Sequence, residues 1–146
     1  MILMEKTLVL IKPDGVERNL IGEIIKRFEE GGLRVRDIKM VMPSKDFIKT
    51  HYAMHKDKPF FGMLIDYLSN KPVVAMILEG KNAVSKVREI TGTTDPSKAE
   101  KGTIRGDLGN DSREKADAGH RSIYNLIHAS GTQDEAKMEL RLWFGK

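Results

Sequence analysis

Two uninterrupted apolar runs constrain this chain more than any other feature. Residues 7–11 (TLVLI) and 73–78 (VVAMIL) are short and continuous. Both suit buried strands, and the second is the most buried-looking segment of the sequence. The first stops at Lys12-Pro13-Asp14-Gly15, a turn tetrapeptide that displays Lys12 at the carboxyl end of a strand. The second is ended by Glu79-Gly80. Residues 33–42 alternate Val35, Ile38, Met40 and Met42 imperfectly against Arg34, Arg36 and Lys39, which predicts a strand with a bulge before Pro43. A fourth strand is expected over residues 123–127.

Helical signals fill the intervals. Asn19 can cap a helix carrying Leu20, Ile21, Ile24, Ile25 and Phe28, closed by Gly31-Gly32. Ser44 caps residues 45–54, Pro59 opens a helix that runs to Ser69, and another covers residues 82–90. Residues 91–109 show no apolar periodicity and read as a long loop, a feature usually tied to function or disorder. Asp111 and Glu114 have capping-box spacing and Gly119 suits a terminator, so a short surface helix is expected over residues 112–118, held by its ends or by a neighbouring subunit. Thr132 and Glu135 form a second capping box, starting a helix through Ala136, Glu139 and Leu140.

The order strand, helix, strand, helices, strand, helix, loop, strand, helix is the split βαβ plan. It predicts a ferredoxin-like α/β (α+β) fold: a four-stranded antiparallel sheet, one face covered by helices, with the first and third strands central. At 146 residues this is most simply one domain, residues 1–146. The absence of cysteine rules out disulfides, thiolate metal sites and cysteine nucleophiles. Glu5 and Lys6 interrupt the first apolar residues before a secretory segment could form, and no stretch approaches a membrane span, so a cytoplasmic protein is expected. A net charge of +4, mixed with many acids, gives no reason to expect specific nucleic-acid binding but allows a local basic cleft.

Chemistry concentrates where Asn125-Leu126-Ile127-His128 runs into the small residues Ala129, Ser130 and Gly131. His128 should stand at a strand's end beside a helix N-terminus, where a nucleophilic imidazole and an anion-favouring backbone make phosphate the natural partner. Glu139, about two turns into the helix, could hold the second ring nitrogen. From this stretch alone a satisfied structural histidine at a strand end is the favoured reading. His51 and His55 have the i, i+4 spacing of metal ligands, but no third ligand is apparent nearby. Neither a P-loop nor a dinucleotide fingerprint is present, so phosphate would be held by scattered side chains and the loop.

Lys12-Pro13-Asp14-Gly15, His51-Tyr52, Pro59-Phe60-Phe61, Gly102-Thr103-Ile104-Arg105-Gly106-Asp107 and Asn125-Leu126-Ile127-His128-Ala129-Ser130 occur in this order. On these motifs the chain resembles the nucleoside diphosphate kinase family from about Lys6 to Phe144. The resemblance implies ping-pong transfer of the γ-phosphoryl group from ATP or another nucleoside triphosphate to a nucleoside diphosphate. Mg²⁺ would be carried on the phosphates rather than by protein ligands. It implies His128 as the nucleophile, with Ser130 and Glu139 in support. Lys12, Tyr52, Arg88, Thr94, Arg105 and Asn125 would hold phosphates or sugar, His55 would join the phosphate side, and Phe60 and Leu64 would touch the base. Stacking on Phe60 tolerates any base, so broad specificity is expected.

A homo-oligomer is implied as well, hexamer and tetramer both remaining open. Many relatives carry aspartate where this chain has Gly131. The segment between Asp107 and Asn125 is longer than usual, which looks like an archaeal branch of the family; residues 110–122 are expected to rim the base end of the cleft and take no part in transfer. Two rivals share some of these features. A phosphohistidine carrier would take phosphate from a partner protein. An RNA-binding module has the same element order but stacks bases on aromatics of central strands, whereas here Phe28, Phe47, Tyr52, Phe60, Phe61 and Tyr67 fall on predicted helices.

Overall fold

The computed structural model describes residues 4–146; the apolar residues 1–3, whose run was expected to break at Glu5 and Lys6, lie outside them. Strands β1 (Met4–Ile11), β2 (Arg34–Val41), β3 (Val73–Lys81) and β4 (Ile127–Ala129) form one antiparallel sheet in the order β2-β3-β1-β4. The two apolar runs are therefore the central strands, as expected. The predicted bulge appears as a register shift between Val35 and Asp37. Glu79-Gly80 does not end β3, because Lys6 and Glu5 still pair with these two residues. The glycine serves a close approach instead: a Cβ on Gly80 would lie 3.0 Å from the Leu33 side chain.

The expectation that helices cover one sheet face is corrected to both faces. Helices α2 (Ile21–Glu30) and α5 (Ala83–Thr91) pack Ile24, Phe28 and Val87 on the face bearing Val9, Ile11, Met76 and Leu78. Helices α3 (Lys45–His51), α4 (Phe61–Leu68) and α8 (Gln133–Phe144) pack Ile48, Ile65, Leu68, Leu140 and Trp143 on the face bearing Leu8, Leu10, Ala75 and Ile77. The reason lies in the runs themselves. Strand side chains alternate between faces, so an unbroken apolar run needs apolar neighbours on both. Each fully buried aliphatic side chain contributes roughly 1.5–3 kcal/mol.

Several boundaries differ from expectation for local reasons. Lys12-Pro13-Asp14-Gly15 opens a short helix, α1 (Pro13–Glu17), with proline pre-set for a first turn. Asn19 does not cap α2; it sits in the left-handed region at φ 59° and Leu20 takes the cap position. The helix expected to reach residue 54 stops at His51 and passes into a 3-10 turn, Ala53–His55. Pro59 precedes α4 rather than opening it, Phe60 being the cap residue. The long loop holds a 3-10 turn, Pro96–Lys98, and a helix, α6 (Ile104–Leu108), capped by the Thr103 hydroxyl. Five residues are too few to display a helical period.

Helix α7 (Arg113–Ala118) forms as expected, but Ser112 provides its cap. It is also not held merely by its ends. Asp111 is buried, accepting two bonds from Arg121 (2.7 and 3.0 Å) and one from the Tyr124 N–H (2.9 Å), and Ala116 is fully buried.

Strand β4 starts at Ile127, where a strand ending there had been expected. Leu126 adopts φ 71°, and the Ile127 N–H donates to the Asn125 carbonyl at 2.8 Å, closing a three-residue turn from which extended pairing begins. Such a conformation is strained for leucine and persists when its surroundings over-determine it. Here the side chain is fully buried, the Leu126 N–H donates to Asp14 (3.1 Å), and its carbonyl accepts from the Lys12 N–H (2.8 Å).

Candidate active site

His128 is thus the middle residue of β4, paired with Leu10, rather than a residue beyond the strand's end. Alternation along β4 sends Ile127 into the core beneath α2 and α5 and turns His128 to the side of α8 and α3. Thr132 caps α8 by accepting from the Glu135 N–H (3.1 Å), and the Glu135 carboxylate reaches back to the Gly131 N–H (2.9 Å). The space beside Gly131 belongs to that carboxylate, since a Cβ there would lie 2.5 Å from Glu135 Oε2. The cap fixes where α8 begins and thereby where Glu139 falls.

Glu139 Oε1 is 2.8 Å from His128 Nε2 and also accepts the Ser130 hydroxyl at 2.8 Å. The carboxylate accepts a hydrogen bond from Nε2–H, which keeps the proton on that nitrogen and leaves the lone pair on Nδ1. Behind this ring His51 packs edge-on, centroids 4.6 Å apart, and Tyr52 at 5.9 Å. Burial first, and then the proximity of His128, Lys12 and His55, holds His51 well below the usual imidazole range, so it is neutral. The Trp143 indole N–H donates to its Nδ1 at 2.9 Å, which puts its proton on Nε2. His51, His128 and Glu139 bring potential ligand atoms within 4.8 Å of one another, a trio that the i, i+4 reading of His51 and His55 did not anticipate. Within the trio the one hydrogen bond found joins His128 to Glu139; His51 meets His128 through its ring, and its buried Nε2 has no partner among the described residues.

In front of His128 lies a cleft of about 480 Å³. Lys12, Tyr52, His55, Phe60, Leu64, Arg88, Thr94, Arg105 and Asn125 all line it, so the structure gathers every residue singled out for nucleotide contact around one cavity. Ser130 and Glu139 stand behind the histidine and not in the lining. Lys12 donates to Asn125 Oδ1 (2.9 Å), and Asn125 Nδ2 donates to the Thr94 carbonyl (3.0 Å). Burial and the nearby Arg105 guanidinium pull the Lys12 amine down to about 8, against the opposing pull of Asp14. Arg105 donates to the carbonyls of Asn125 (3.0 Å), Gly92 (3.0 Å) and Ile127 (2.6 Å), clasping the loop to β4; burial lowers it to about 10, so it stays cationic at neutral pH. Arg88 reaches the Ala129 carbonyl at 3.4 Å. Phe60 is 39% exposed, free to meet a flat ligand.

Sequence reasoning missed Arg113, Arg121 and Ser122, which form a wall of the cleft. Nothing in their local pattern distinguishes them from a solvated helix face; only the buried Asp111 turns the segment inward. Asp14 was read as a turn residue, yet its carboxylate also accepts the Tyr67 hydroxyl at 2.6 Å.

A profile of the nucleoside diphosphate kinase family matches residues 5–146. The nucleoside diphosphate kinase of Rubrobacter xylanophilus is 50% identical over 142 residues, covering 97% of this chain and 99% of the relative. That of Pyrococcus abyssi is 49% identical over 140 residues, covering 96% and 84%. Among solved structures, a transition-state mimic of nucleoside-diphosphate kinase from Borrelia burgdorferi, with bound vanadate and ADP, superposes with a TM-score of 0.93 at 38% identity, covering 97% of this chain and 88% of that one.

Proposed function

Because the chain belongs to the nucleoside diphosphate kinase family, we propose that it moves the γ-phosphoryl group from a nucleoside triphosphate to a nucleoside diphosphate through His128. One observation carries this reading: Glu139 occupies Nε2, leaving the Nδ1 lone pair of a cleft-lining histidine free. Nδ1 attacks the γ-phosphorus in line, the bond to the β,γ-bridging oxygen breaks, and the diphosphate leaves with that electron pair. The ring becomes a cation, balanced by the Glu139 carboxylate that Ser130 holds in place. A second diphosphate then reverses the step.

Phosphoryl transfer needs positioning and charge neutralisation more than further covalent chemistry. Lys12, Arg88 and Arg105 supply cationic donors, and Tyr52, His55, Thr94 and Asn125 the neutral contacts. Phe60 and Leu64 offer an apolar platform that does not read base edges, which supports broad specificity. The described lining contains no carboxylate, a donor set that fits Mg²⁺ held by the phosphate oxygens, where it would neutralise further charge.

We also place the protein in the cytoplasm as a homo-oligomer. No described helix is long and apolar enough to cross a membrane. Ile38, Met40 and Met42, 45–63% exposed on and beside the edge strand β2, support association of copies.

Incubation with γ-labelled ATP alone should label the protein on His128, stably to base and labile to acid, and GDP should remove the label as GTP. His128→Ala should take no label while remaining folded, since this residue belongs to neither apolar core cluster. Label on another residue would sink the mechanism. Label that passed only to a protein would favour a carrier.

A further inference from the structure

Among the described residues, five cationic side chains line the cleft: Lys12, Arg88, Arg105, Arg113 and Arg121. Their donors are not equally available. Arg105 is committed to three main-chain carbonyls. Arg121 is locked in its two-toothed ion pair with Asp111 and lies 4.2 Å over the Tyr124 ring. Lys12 is tied to Asn125. Arg113 has only a loose ion pair with Asp117 at 3.8 Å, longer than a hydrogen bond, and its side chain is 49% exposed.

Its backbone, in contrast, is pinned. The Arg113 N–H donates to Asp95 Oδ2 at 3.2 Å, one residue beyond Thr94, whose carbonyl holds Asn125. Its charge is near enough to contribute to the lowering of the Lys12 amine. An uncommitted guanidinium on a fixed anchor, in a cleft with several cations and no carboxylate among its described lining residues, is arranged to meet an anion.

We propose that Arg113 binds the polyphosphate of the nucleotide, so that α7 supplies a phosphate contact from outside the motifs that mark the family. The inference deepens the phosphotransfer reading and rests on it. It also replaces the expectation that residues 110–122 merely rim the base end: the segment helps hold the substrate's charge.

The test compares binding of ADP and of adenosine to the whole protein by calorimetry, in wild type, Arg113→Ala, Arg113→Lys and the exposed control Glu114→Ala. The bond to Asp95 uses a main-chain N–H that alanine keeps, so α7 stays anchored. Loss of one charge-assisted hydrogen bond should weaken ADP binding about tenfold in Arg113→Ala. Adenosine binding should be unchanged, Arg113→Lys should recover part of the loss, and Glu114→Ala should match wild type. The KM for ADP should rise in step while kcat stays within about threefold, as for an interaction made equally in ground and transition states.

Equal ADP affinity in Arg113→Ala and wild type would overturn the proposal, and so would an equal loss for adenosine. A wild type that binds ADP but exchanges no phosphate would sink the reaction reading, leaving the Arg113 comparison to decide this one. A wild type that binds no ADP would end both.

Discussion

Lys12 and Arg105 carry the same charge into the same cleft, yet the fold treats them oppositely. Arg105 is a clasp, giving one hydrogen bond from each of its three guanidinium nitrogens to main-chain carbonyls while keeping N–H donors to spare. Lys12 is a buried amine whose one hydrogen bond is to Asn125 and whose value has fallen from 10.5 to about 8. Below pH 8 the folded chain therefore holds a charge that its surroundings disfavour. Removing it should help the fold and harm the chemistry, the trade-off found where a site is built for a charged ligand. Lys12→Met should raise unfolding stability at pH 7 by roughly 1–3 kcal/mol while lowering turnover by about two orders of magnitude. Arg105→Met should lower both, because three carbonyls lose their donor. Urea titrations beside the exchange assay separate the two; a destabilised Lys12→Met would contradict the argument.

The same amine sets a pH dependence. Polyphosphate oxygens bound beside Lys12 would raise it, so the complex would hold more protons than the free protein near pH 8, and affinity should fall as pH rises through that value. Calorimetry in buffers of different ionisation enthalpy should detect proton uptake at pH 8 and little at pH 6.

At the scale of elements, capping signals were legible and long-range clamps were not. Ser44, Thr132 and the residues around Asp111 announce helix starts through contacts made within a few positions. The turn at Leu126 is invisible locally, because the groups that hold it, Asp14 and Lys12, lie more than a hundred positions earlier in the chain. The inward set of α7 is hidden in the same way. Its anchor is a buried carboxylate that looks like a solvated acid in sequence. The paired guanidinium of Arg121 holds Asp111 at about 2, below the ordinary 3.8, so its stabilisation is present above about pH 4 and disappears as pH falls through 2. At neutral pH, Asp111→Ala should cost about 1–3 kcal/mol by leaving the Tyr124 N–H without its acceptor and Arg121 without its counter-ion. It should also raise the KM for nucleotides, since Tyr124 adjoins Asn125. A urea midpoint unchanged from wild type would mean that the segment is held by something other than this carboxylate.

For the whole molecule, the strand and helix order was enough to expect the sheet and its central strands, and the motif residues were enough to expect one cleft. What the order could not convey is that helices cover both faces, although the two continuous apolar runs already required it. That second layer decides how the cleft is built. Tyr52, Phe60 and Leu64 reach it from the layer of α3 and α4, whereas Arg88, Thr94 and Arg105 reach it from α5 and the loop beyond, with Lys12 and His128 on the sheet between them. A nucleotide bound in this cleft would tie both layers to the sheet and meet a site that the unfolded chain does not possess. Ligand that binds only the native state stabilises it by RT ln(1 + [L]/Kd), about 2.7 kcal/mol at a hundredfold excess over Kd. For a chain of this length that corresponds to a rise in Tm of roughly 8 °C with Mg·ADP. His128→Ala should keep most of the rise, because the cationic donors remain, and adenosine should give only a small part of it. A scanning-calorimetry trace unmoved by saturating Mg·ADP would show that the cleft between the two layers is not where nucleotide binds.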